Sequence, residues 1–150
     1  MAIPFDRKLS QIAFVVKDIE EARQRFAALL GVEAPPIITT PPGDEVGAVY
    51  RGRPTTDQAN LVFFELPNIQ LELIEPIGTE SAWAEDLATK GEHVHHIAFW
   101  TEDMNAASSF VEGQGAPLVM RGDFGDHSGE YVYFDGKAKF GCFIEILGRK

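Results

Sequence analysis

The sequence predicts an α+β fold in which two consecutive βαβββ modules pair their curled, mixed sheets around a cleft. Three observations predict it. Gln11-Ile12-Ala13-Phe14 recurs as His96-Ile97-Ala98-Phe99, an offset of 85 residues, and the same offset matches Asp18 with Asp103, Ile19 with Met104 and Ala22 with Ala107. Each matched segment is a period-two run followed by a capped run at helical period. Each half also closes on an apolar strand run with a glutamate set inside it, Leu71-Glu72-Leu73-Ile74 and Phe143-Ile144-Glu145-Ile146-Leu147. The reading is one domain over 1–150, with a first module over about 9–76, a linking helix over about 79–90 and a second module over about 94–148.

Taken in order, residues 9–16 form a strand with Gln11, Ala13 and Val15 on one face and Ile12, Phe14 and Val16 on the other. Asp18 caps a helix with Glu21 as its capping-box partner, and Ile19, Ala22, Phe26, Leu29 and Leu30 supply the apolar stripe up to Gly31. Residues 34–43 hold four prolines and read as loop, either a cleft wall or a connector. Short strands are expected over 46–51 and 59–66, then one over 69–75 with Gln70, Glu72 and Ile74 on one face. Residues 79–90 read as helix, Trp83 and Leu87 lying one turn apart, and Gly91 ends it.

In the second half His96, Ala98 and Trp100 share a strand face, with Ile97 and Phe99 on the other. By the same alternation His95 points away from His96, and His93 lies before the strand. Both suit surface or hydrogen-bonding roles. Asp103 caps a helix carrying Met104, Ala107, Phe110 and Val111, which Gly113 and Gly115 terminate. Residues 117–120, 130–134 and 142–147 read as strands, with Asp135-Gly136 as a hairpin turn signal.

Composition narrows the function. A net charge of −10, from 13 basic against 23 acidic residues, excludes a basic nucleic-acid footprint and an anionic membrane surface as partners. The single cysteine, Cys142, cannot build a disulfide framework, and its apolar neighbours make it a buried thiol. No stretch approaches the roughly 20 apolar residues of a spanning helix, and residues 1–8 carry no signal-peptide pattern, so the expected location is cytoplasmic.

The repeat carries a geometric expectation. When two such modules pair, Gln11 and His96 sit at corresponding strand starts, and Glu72 and Glu145 at corresponding places on last strands. Four polar side chains then converge in one concavity. One nitrogen and three oxygen donors suit one divalent ion, Zn, Ni, Co, Mn or Mg, whose charge also neutralises two carboxylates that a core would not tolerate bare. Trp100, on the His96 face, would floor the pocket for a small-molecule substrate, or serve packing alone. Residues 121–129 form a glycine-rich loop in which Arg121 or His127 could meet a substrate carboxylate, or a plain hairpin loop; the spacing is not that of a phosphate cradle.

Four segments, 11–18, 71–76, 95–99 and 143–147, resemble the vicinal oxygen chelate superfamily, the glyoxalase and bleomycin-resistance fold, over essentially the full chain. The resemblance implies metal ligands at Gln11, Glu72, His96 and Glu145. It implies a proton removed next to a carbonyl and returned elsewhere, through a metal-stabilised enediolate, with Glu145, and Glu72 beside it, as the base that leaves the metal when substrate binds. Over 79–99 the chain is most similar to methylmalonyl-CoA epimerases, whereas the Gln, Glu, His, Glu set is similar to that of zinc-type glyoxalase I. The expected activity is thus an isomerase, epimerase or lyase step. Two departures separate the chain from the epimerases. They usually carry histidine at the place of Gln11, and their catalytic glutamate falls near Thr56 and Asp57, where no glutamate stands. Ring-cleaving dioxygenases of the fold need two histidines and one carboxylate, which Gln11 argues against. The competing class is a non-catalytic binding or resistance protein of the same fold; those commonly lack the quartet. A homodimer is the usual assembly of this fold and is expected here.

Overall fold

The computed structural model describes residues 2–150. Strand β1 (Gln11–Val15) leads into helix α1 (Ile19–Leu30), and short strands follow as β2 (Ile38–Thr39), β3 (Val49–Tyr50) and β4 (Arg53–Pro54). Then come β5 (Gln58–Glu65), β6 (Gln70–Ile77), α2 (Ala82–Lys90), β7 (His93–Thr101), α3 (Met104–Gly113), β8 (Leu118–Asp123), β9 (Gly129–Phe134), α4 (Lys137–Phe140) and β10 (Phe143–Arg149). The helix starts fall where the caps place them. Asp18 accepts from the Glu21 N–H, Ser81 from Ala84 and Asp103 from Ala106, each satisfying an otherwise orphaned amide. Gly31 ends α1 at φ 67, a left-handed turn that costs glycine nothing.

All ten strands form one mixed sheet in the order β2-β5-β6-β1-β7-β10-β9-β8-β3-β4, curled into a half-barrel. Its symmetry is that of the repeat. β1 and β7 pair antiparallel at the centre; β1 then pairs parallel with β6, and β7 parallel with β10. Outward, β5 and then β2 flank β6 as β9 and then β8 flank β10. The two modules therefore join within a single chain, through their first strands.

The outer face of each half is buried by its own helix. Ile19 and Ala22 of α1 pack on Val62 and Leu73, and Ala107 and Val111 of α3 pack on Val132, Phe134 and Ile146. Each large side chain so buried stabilises the fold by about 1.5–3 kcal/mol. On the inner face α2 plugs one end, seating Ala82 and Trp83 against Val15, Ile74 and Phe143, and the rest of the concavity stays open as a cleft.

Three local expectations are corrected. The proline-rich segment 34–43 is not all loop, because Ile38 and Thr39 pair with Leu61 and Asn60 and make β2 the counterpart of β8. The strand expected over 46–51 is therefore an insertion. It shrinks to β3, turns through Arg51 and Gly52 at φ 50 and 80 into β4, and docks on β8 of the other module, Val49 opposite Arg121 and Tyr50 opposite Met120. Tyr50 and Arg51 bond Glu85 of α2, tying the insertion across the end of the concavity. Asp135-Gly136 does not make a tight hairpin; it opens the longer connection that holds α4, with Asp135 Oδ1 accepting from the Lys137 amide.

Candidate functional site

Gln11, Glu72, His96 and Glu145 stand on four adjacent strands, β1, β6, β7 and β10, and all are buried. The register explains how they meet. Ala13 is the cross-strand partner of both Glu72 and His96, and Ala98 is the partner of both Gln11 and Glu145. Strands two apart lie about 10 Å from each other, so side chains on them touch only by leaning over something small. The two alanines, themselves an 85-residue pair, provide that space. His96 Nε2 lies 2.7 Å from Gln11 Oε1, 3.2 Å from Glu145 Oε1 and 3.5 Å from Glu72 Oε1.

The expected alternation fails at one residue. Ala13 pairs with His96 but Phe14 pairs with Val94, so His95 is the extra residue of a β-bulge. The bulge turns His95 onto the same inner face as His96. It stacks on the Phe143 ring at 4.8 Å, sets its Nδ1 2.8 Å from His96 Nδ1 and its Nε2 3.3 Å from the Ala82 carbonyl. It is fully buried, and burial, followed by the neighbouring His96, pushes its pKa well below the usual histidine value. His93 instead sits half-buried beside the buried Asp86 carboxylate, its Nδ1 on the Gly91 carbonyl.

Gln11, Glu72 and Glu145 line the floor of a cleft of about 330 Å³, and the fully buried His96 contacts all three from beneath it. Its walls are rings: Phe63, Trp83, Trp100, Phe124, Tyr131 and Tyr133. No lysine or arginine lines it among the described residues. Trp83 Nε1 donates to the Tyr133 hydroxyl at 3.0 Å, which leaves that hydroxyl its own proton to give. Burial, then the charges of Glu145 and Glu72, raises the Tyr133 pKa well above the ordinary tyrosine value.

The other residues singled out from the sequence lie apart from this floor. Trp100 lines the cleft, anchored by donation to Ser10 Oγ and stacked under the Arg149 guanidinium at 4.1 Å. Arg121 does not line it; its guanidinium bonds Asp123 at 3.0 Å and the Gly47 carbonyl at 3.3 Å, pinning the insertion to β8. His127 sits exposed at the β8–β9 loop tip, at φ 59. Asp57 lines the cleft, but one carboxylate oxygen is committed to the Glu80 amide at 2.7 Å, and burial raises its pKa. The sequence reading missed Tyr131, Tyr133, Phe124 and the role of Gln70. Only Gln70 left a signal, since it shares a strand face with Glu72.

The donor chemistry fits a divalent cation. Two buried carboxylates share a floor with no lysine or arginine, and burial, followed by the charge of Glu145, drives the Glu72 pKa well above its normal value. A cation between them removes that cost. Contacts of 2.7–3.5 Å from the imidazole nitrogen match the roughly 3 Å that separates neighbouring ligands on an ion with bonds of about 2.1 Å. Among the described residues, no three His, Cys, Asp or Glu side chains are arranged to hold a metal ion; Glu72 and Glu145 each contact the His96 imidazole instead.

The family model described as the glyoxalase/bleomycin resistance protein/dioxygenase superfamily matches residues 10–134, most of the chain. The chain belongs to this superfamily. Among its curated superfamily relatives is an ethylmalonyl-CoA/methylmalonyl-CoA epimerase of Cereibacter sphaeroides, 28% identical over 142 residues, covering 93% of this chain and 96% of that one. The mitochondrial methylmalonyl-CoA epimerase of Bos taurus is 29% identical over 141 residues, covering 93% of this chain and 73% of its own. The crystal structure of methylmalonyl-CoA epimerase from Mycobacterium tuberculosis matches the fold with a TM-score of 0.65 at 19% identity, covering 100% of this chain and 93% of that one. The half-barrel of this chain is thus the superfamily's fold.

Proposed function

We propose that this chain is a proton-transferring isomerase of the epimerase type, acting on the carbon next to the carbonyl of a small thioester. The observation that carries the reading is the pair Glu72 and Glu145, brought from β6 and β10 on opposite sides of the central β1–β7 pair to one imidazole nitrogen at the floor of a ring-walled cleft. The thioester comes from the relatives named as acyl-CoA epimerases.

Gln11, Glu72, His96 and Glu145 are the residues that would hold a divalent ion, which supplies Lewis acidity to a carbonyl oxygen and so acidifies the adjacent C–H. Glu145 is the base. Glu72, brought in from the other side of the central strand pair, stands where a proton can be returned to the opposite face of the carbon. Inversion asks for groups on both faces of the carbon. Tyr133, with its oxygen taken by Trp83, turns its own proton toward the developing oxyanion. The aromatic walls exclude water that would quench the carbanion.

The test is α-proton exchange in deuterated buffer with the metal-loaded protein, across methylmalonyl-CoA, neutral 2-methylacyl thioesters and 2-hydroxy ketones. With no basic side chain on the cleft wall to receive a second carboxylate, the neutral 2-substituted thioesters are expected to exchange fastest. No exchange on any member, with a ligand still bound in the cleft, would instead establish a binding protein.

A further inference from the structure

The His96 imidazole and the Gln11 amide each have an end that donates and an end that accepts, and which end faces Glu72 and Glu145 decides what the floor can bind. Two hydrogen-bond chains set both orientations, and each starts from a group that can only accept.

The first starts at the Ala82 carbonyl, at the head of α2. His95, sealed between the Phe143 and Tyr133 rings with no carboxylate in contact, is neutral and carries one N–H. The Ala82 carbonyl takes that N–H at Nε2, so His95 Nδ1 is a bare lone pair. It can meet His96 Nδ1 at 2.8 Å only as an acceptor. His96 therefore keeps its proton on Nδ1, and its bare Nε2 faces the carboxylates. The second chain starts at the Glu65 carboxylate, which takes the Gln70 Nε2 hydrogen at 2.6 Å. Gln70 then presents Oε1 to Gln11, which donates from its Nε2 at 2.5 Å. Gln11 is left with Oε1 turned inward, 2.7 Å from His96 Nε2.

Four lone pairs thus meet with no hydrogen between them. We infer that His95 and Gln70 are positioning residues, whose hydrogen-bond chains from Ala82 and Glu65 polarise the floor into an all-acceptor site for a cation. This rests on the reading that the floor holds a divalent ion. The bulge at His95 gains a purpose on this account, since without it the ring would face away from His96.

The experiment titrates zinc into chelator-stripped protein by calorimetry and records ¹⁵N-histidine spectra of the zinc-loaded form. In the wild type His96 should bind zinc through Nε2 with its proton on Nδ1. His95→Phe keeps the ring stacking and removes the acceptor; zinc affinity should fall about 10- to 100-fold, the usual worth of an outer partner of a metal ligand. His95→Gln restores an oxygen that accepts from His96 Nδ1, and should recover affinity to within a few-fold. Gln70→Leu frees the Gln11 amide and should cost about tenfold. Unchanged affinity in His95→Phe and Gln70→Leu, or zinc on Nδ1 in the wild type, would overturn the inference while leaving the metal site standing. A wild type that takes up no zinc, nickel, cobalt, manganese or magnesium would overturn both.

Discussion

Replacing Glu145 with glutamine separates ligation from proton transfer. Glutamine keeps an oxygen of the same reach, so the contact now made 3.2 Å from His96 Nε2 survives, and metal should be retained. What disappears is a group able to accept a proton. A positioned base is worth about 10²- to 10⁴-fold, or about 3–5 kcal/mol of barrier. Exchange and epimerisation should both fall by that amount. The equivalent change at Glu72 should be milder in exchange, for a reason visible in the register. Glu145 lies opposite Tyr133, whose free hydroxyl proton serves the same end of the site, whereas Glu72 lies opposite Phe63. Glu72→Gln should still label one hand of the substrate with deuterium while losing interconversion of the two hands. The assay follows deuterium uptake by mass spectrometry and optical inversion in parallel, with metal content measured on each variant. Metal-loaded variants that both exchange at the wild-type rate would refute the proton-transfer reasoning.

Three other outcomes are expected. His96→Ala removes the only nitrogen donor of the floor, and purified protein should lose most of about one divalent ion per chain, measured by atomic emission. Tyr133→Phe should retain metal yet lose about 10- to 100-fold in turnover, the scale of one oxyanion donor or less; an unchanged rate would confine Tyr133 to packing. Gly129→Ala should destabilise the fold by about 1–3 kcal/mol in denaturant melts, because its Cβ would sit 2.3 Å from the Gly148 carbonyl and 2.6 Å from the Phe124 ring.

Much of the architecture was legible because it is written locally and written twice. Alternation placed Gln11, Glu72, His96 and Glu145 on inward faces; the 85-residue offset made Gln11 correspond to His96, and the glutamate set in each closing strand run made Glu72 correspond to Glu145. Caps at Asp18 and Asp103 marked where the strands hand over to helices. The walls were less legible. Phe63, Tyr131 and Tyr133 look like ordinary strand aromatics until the sheet curls and brings β5 and β9 to face one space.

The chain by itself determined the α+β repeat, the helix boundaries and the four polar positions, because period and capping depend on residues a few places apart. Tertiary structure alone decided the rest. The bulge that turns His95 inward exists because β1 and β7 pair out of step there, and pairing is a property of two strands 80 residues apart. The docking of β3 on β8 left Arg121 bound to Asp123 and the Gly47 carbonyl and away from the cleft. Neither could be read along the chain, since each depends on which distant backbone supplies the hydrogen-bond partner.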